Sequence, residues 1–144
     1  MSVNFGSEPP EPELESPTEN KPYNSRTVLL ADDEEALLEI LGHTLRTAGY
    51  CVLEATDSEI ALKAIKEHAA KVDLLIADIH LPESGGVRLF EEMLKVNPDM
   101  SAIFISGHPR EVIVENNTLP NGAAFLEKPF DHRTLLAAVR PFLC

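Results

Sequence analysis

Five short apolar runs, each of strand length and separated by helix-like stripes, constrain this chain more than any other feature. They are Thr27-Val28-Leu29-Leu30-Ala31, Cys51-Val52-Leu53-Glu54-Ala55, Val72 to Ile79, Ala102-Ile103-Phe104-Ile105 and Ala123-Ala124-Phe125-Leu126. The third predicts a strand buried on both faces apart from its charged end. Between the runs, apolar residues recur at helical spacing. One stripe is Leu37, Ile40, Leu41, Leu45 and Ala48, closed by Gly49; a second is Ile60, Ala61, Ala64, Ile65 and Ala69; a third is Leu89, Phe90, Met93 and Leu94. Asp131 is placed to cap a last helix through Leu135, Leu136 and Val139, whose regular hydrogen bonding Pro141 is expected to end early. The segment from Pro109 to Leu119 reads as a weak fourth helix: Val112 and Ile113 are β-branched, and Asn116-Asn117-Thr118 invites a turn. Strands alternating with helices imply right-handed βαβ units around a parallel sheet, an α/β fold.

The 144 residues suffice for one domain with one sizeable core. Residues 1–25 stand apart from the rest. They hold Pro9, Pro10, Pro12, Pro17 and Pro22, nearly half of the chain's 11 prolines, and five glutamates against the single Lys21. Their few apolar residues follow no period, so burial cannot offset ordering entropy, and a disordered leader or linker is expected. The folded domain is expected over residues 26–144. With 24 acidic and 12 basic side chains the net charge is −12, which repels phosphate backbones and anionic lipids and argues against direct nucleic-acid binding. No apolar run approaches the roughly 20 residues of a membrane span, and no signal-peptide pattern opens the chain. Cys51 and Cys144 form no disulfide framework or metal spacing. A cytoplasmic setting is expected.

In an open parallel sheet, ligands bind beyond the carboxyl ends of the strands, so the residues that end each strand carry the functional question. Strand one ends in Asp32-Asp33, strand three in Asp78, strand four in Ser106 and strand five in Lys128-Pro129. Each alone has a plain structural explanation as a cap, a turn former or a solvated lysine. Their conjunction at one sheet edge does not. Clustered carboxylates repel one another unless a cation intervenes, and hard oxygen donors favour Mg²⁺. A metal held by carboxylates and facing a lysine is equipment for phosphoryl transfer, and Asp78 has the position of a nucleophile that becomes an acyl phosphate.

These residues resemble the receiver domain of two-component response regulators, in the flavour found on hybrid sensor histidine kinases. The match is carried by Asp32-Asp33, by Asp78, by Pro82 and Gly86 four and eight residues later, by Ser106-Gly107, and by Lys128-Pro129-Phe130. It spans about residues 26–143. The resemblance implies a flavodoxin-like, doubly wound five-stranded parallel sheet of order 2-1-3-4-5 with helices on both faces, an arrangement of which a receiver is itself a standard example. It implies that Asp78 accepts a phosphoryl group from the phosphohistidine of a histidine kinase or phosphotransfer protein. Mg²⁺ would be bound by Asp33, Asp78 and the backbone carbonyl of His80, with Asp32 acting partly through water. Lys128 would contact the phosphoryl oxygens through a strand end with a cis bond to Pro129. Ser106 would hydrogen-bond the phosphate, and Phe125 would take the place of the switch aromatic, although simple core packing explains it equally well.

The chain would then be a regulatory domain rather than an enzyme, catalysing only its own phosphorylation and slow self-dephosphorylation. Its surface at the fourth helical segment, fifth strand and last helix would change to regulate an unknown downstream partner or a parent protein, and the fourth and fifth helices could pair two copies. His80 and His108, two residues after Asp78 and Ser106, flank the phosphoryl position and are tuning candidates for its lifetime, solvated loop histidines being the plainer reading. The alternative function is a phosphorylation-independent binding module on the same fold. A haloacid-dehalogenase-type hydrolase would need an Asp-x-Asp pattern after strand one, which Asp32-Asp33-Glu34 does not supply, and Gly85-Gly86 lacks the spacing and lysine of a nucleotide loop.

Overall fold

The computed structural model describes residues 26–68, 72–107, 120 and 123–143. The five apolar runs become β1 (Thr27–Ala31), β2 (Cys51–Ala55), β3 (Val72–Asp78), β4 (Ser101–Ser106) and β5 (Ala124–Glu127). All pair in parallel, in the order 2-1-3-4-5. Successive strand residues point to opposite faces, which sorts the core into two halves. Leu29, Leu75, Ala77, Ala102 and Phe104 meet α2 (Ser58–His68) and α3 (Gly86–Val96) through Ala61, Ile65, Leu89, Phe90 and Met93. Val28, Leu30, Leu74, Ile76, Ile103 and Ile105 meet α1 (Glu35–Thr47) and α4 (His132–Leu143) through Leu38, Leu41, Leu45, Leu135 and Val139. Phe90 and Phe104 add an edge-to-face contact with centroids 5.8 Å apart.

Helix boundaries follow local chemistry. Asp57 Oδ1 accepts the Ile60 N–H at 2.8 Å to start α2, and Asp131 Oδ1 accepts the Thr134 N–H at 2.9 Å to start α4, as expected for the latter. Gly49 follows α1 at φ +103°, a left-handed position that suits glycine.

Four expectations are corrected. Ile40 is 62% exposed, and Leu38 takes the inward place on α1. The run Leu37-Leu38-Glu39-Ile40-Leu41 fits two helical phases, and packing on β1 and β3 selects the one that also buries Leu41 and Leu45. Ile60 on α2 is likewise half-exposed. Pro141 lies inside α4, which continues to Leu143; proline forfeits one N–H bond there, while buried Leu143 holds the end of the helix against the core. The charged end of β3 is buried too, Asp78 being 8% exposed. The leader, Ala69, the weak segment 109–119, His108 and Cys144 fall outside the described residues.

Candidate functional site

The carboxyl ends of β1, β3, β4 and β5 lie side by side because the strands pair in parallel. Asp32 follows β1, Asp78 ends β3, Ser106 ends β4 and Lys128 follows β5, so one sheet edge gathers all four. The Lys128 Nζ donates to Asp78 Oδ2 at 3.1 Å and stands 3.1 Å from Asp32 Oδ2. Glu34 Oε1, which the sequence pattern does not single out as a site group, is 3.8 Å from the same ammonium.

The backbone fixes both acids. Asp32 Oδ1 accepts the Glu34 N–H at 2.9 Å, and Asp78 Oδ1 accepts the His80 N–H at 2.8 Å. Behind Asp78, Gly86 explains its own identity: a Cβ there would lie 2.4 Å from the Asp78 carbonyl oxygen, which is backbone and cannot step aside. Pro82 accepts the Ser58 N–H through its carbonyl at 3.2 Å. The Lys128–Pro129 bond is cis, and the Lys128 N–H donates to the Ser106 carbonyl at 2.7 Å. Ser106 is wholly buried. Phe125 is half-buried against the core half that contains Phe104. The His80 side chain is exposed.

Charge and burial are out of balance at this edge. Asp32, Asp33 and Asp78 each offer a carboxylate oxygen, all within 4.8 Å of one another, with Asp33 exposed and the other two buried. Burial raises the pKa of Asp32, opposed by the Glu34 N–H and by Lys128. For Lys128, burial pushes the pKa down, but the hydrogen bonds and charges of Asp78 and Asp32 outweigh it, and the net direction is up. Asp32 Oδ2 is buried, and the polar group it faces is the same Lys128 ammonium that Asp78 Oδ2 shares, 3.1 Å from each. Three carboxylates around one shared ammonium leave an excess of negative charge that a further cation would balance. Among the described residues the cluster consists of three carboxylates, donors that suit a hard ion, so it fits a Mg²⁺ site.

The fold and this constellation define a signalling domain class. A family model for the response regulator receiver domain matches residues 28–140, and the chain belongs to that family. It is 34% identical over 119 residues to the sensor kinase CckA of Brucella abortus (strain 2308), across 83% of this chain and 13% of the kinase. The chain thus spans about an eighth of that relative's length. Among solved structures, it is similar to a response regulator receiver protein from Sinorhizobium medicae WSM419, with TM-score 0.73, 32% identity and coverage of 83% and 94% of the two chains. It is also similar to the receiver domain of the hybrid histidine kinase CckA, with TM-score 0.71, 34% identity and coverage of 82% and 99%. Receiver domains are regulatory parts of two-component systems and interact with histidine kinases or phosphotransfer proteins. No described helix is long and apolar enough to cross a membrane.

Proposed function

We propose that this chain is a phosphoacceptor switch in which Asp78 takes a phosphoryl group from the phosphohistidine of a histidine kinase or phosphotransfer protein. The observation that carries this reading is the single ammonium of Lys128, 3.1 Å from both Asp32 and Asp78 at one sheet edge. An Asp78 carboxylate oxygen forms the O–P bond as the N–P bond breaks, and the electron pair returns to the imidazole nitrogen. The His80 N–H restrains Oδ1 of the nucleophile, and the Lys128 ammonium neutralises charge on the transferring oxygens. Mg²⁺ held by Asp33, Asp78 and the His80 carbonyl, with Asp32 through water, would supply further charge neutralisation. The Ser106 hydroxyl then hydrogen-bonds the new phosphate, Phe125 repacks with it, and His80 and His108 are tuning candidates for self-dephosphorylation, solvated loop histidines being the plainer reading.

The added charge biases a surface that a downstream protein, a parent chain or a second copy reads, the last through the segment 109–119 and α4. The receiver unit is taken as residues 26–144, with 1–25 as its leader, in the cytoplasm. The test is incubation with a small phosphodonor and Mg²⁺, followed by intact-mass measurement. The wild type is expected to gain one phosphoryl group and Asp78→Asn none. No gain on the wild type would replace this reading with that of a phosphate-independent binding module.

A further inference from the structure

Ser58 opens α2 without capping it, because Asp57 already does so. The Ser58 N–H, one of those a helix start leaves without an internal partner, goes to the Pro82 carbonyl at 3.2 Å. Its Oγ accepts the Ser84 N–H at 3.1 Å and lies 3.0 Å from Ser84 Oγ. Ser58 is 5% exposed while Ser84 lies at the surface, so these part-buried bonds join a loop residue to a sheltered hydroxyl. Between the two residues it holds sits Glu83 at φ +80°, a strained conformation for a residue with a Cβ. A strained residue between two anchored neighbours relaxes once an anchor is released.

The other end of this loop is tied to the site. Leu81 N–H donates to the Asp78 carbonyl at 3.2 Å, Gly85 N–H to the Leu81 carbonyl at 3.0 Å, and Gly86 N–H to the Ile79 carbonyl at 3.0 Å. The His80 N–H that orients the Asp78 carboxylate belongs to the same hydrogen-bonded coil. We infer that Ser58 is a positioning residue: by pinning Pro82 and Ser84 it holds the 79–85 loop, and through it the Asp78 carboxylate, in metal-binding geometry. This rests on the reading of Asp78 as phosphoacceptor and metal ligand.

The test uses the full chain, free of metal, with amide hydrogen exchange by NMR and Mg²⁺ binding by calorimetry. Ser58→Ala is expected to speed exchange at the His80 amide and weaken Mg²⁺ binding, each about tenfold, as for outer residues that orient metal ligands. Core amides such as Leu75 and Ile76 are expected to keep their rates. Ser58→Thr retains the hydroxyl and restores both readouts. In the Ser58→Ala, Glu83→Gly double variant, glycine removes the strain that drives the loop away, and part of the loss is recovered. Wild-type exchange and affinity in Ser58→Ala would overturn the inference, as would acceleration of every core amide in step, the mark of mere destabilisation. The metal-free exchange does not depend on phosphorylation. A wild type that gains no phosphoryl group therefore sinks the function alone, while an unmoved His80 amide sinks the role of Ser58 alone.

Discussion

At both ends of the sheet a cation lies between strands and faces an acid, and the two ends differ in their charge count. At the amino end Arg26 Nη1 is 3.6 Å from Asp73 Oδ1, and Asp73 Oδ2 accepts the Thr27 N–H at 2.9 Å. One cation meets one carboxylate, both carboxylate oxygens are engaged, and the side chains are 46% and 26% exposed. At the carboxyl end one ammonium serves Asp32 and Asp78, with Asp33 beside them and Glu34 within 3.8 Å. There Asp32 is almost wholly buried, and its Oδ2 must share that ammonium with Asp78. A cation facing a carboxylate makes a clasp where charges balance in water, and part of a cluster that fits a Mg²⁺ site where acids outnumber cations away from it.

Changing the cation at the carboxyl end should have the largest effect. Lys128→Met is expected to slow phosphoryl uptake from a small donor about 10²-fold, the usual weight of one preorganised charge donor, read as mass gain against time. Uptake at the wild-type rate would erase the distinction between the two ends.

A smaller, sign-sensitive effect is expected at Asp32. Burial raises its pKa in the fold, so its contribution to stability is complete below the unfolded value and is lost as pH rises through the folded one. Asp32→Asn keeps an acceptor for the Glu34 N–H and removes that loss. The metal-free variant should therefore melt a few degrees higher than wild type at neutral pH, with a flatter stability profile from about pH 4 upward. Added Mg²⁺ should stabilise it less than it stabilises the wild type. A lower melting temperature would mean that attraction to Lys128 outweighs burial.

The smallest effect belongs to the amino end. Arg26→Gln should lower unfolding stability by less than about 1 kcal/mol in denaturant titration, as for other exposed pairs, and leave phosphoryl uptake untouched.

The same contrast separates what local sequence carries from what it does not. The strands were legible because each is a short apolar run, and the acids, Ser106 and Lys128 because each ends one of those runs. The sheet order came only through the family resemblance. The phase of α1 at Ile40 is not fixed locally, since the four apolar residues among Leu37-Leu38-Glu39-Ile40-Leu41 satisfy two helical faces and only the neighbouring β1 and β3 side chains choose. The tie between Ser58 and Ser84 spans 26 residues, from the first residue of α2 to a loop, and leaves no periodic trace. Arg26 and Asp73 escaped notice for the same reason, each looking like ordinary surface charge.

The ammonium at the carboxyl end arrives on β5, the four-residue strand at the sheet's far edge, 96 residues after Asp32. A nascent chain released only as far as β4 already carries every acid of the cluster but not their counter-charge. The charge balance of the site is thus completed only once synthesis has passed Lys128.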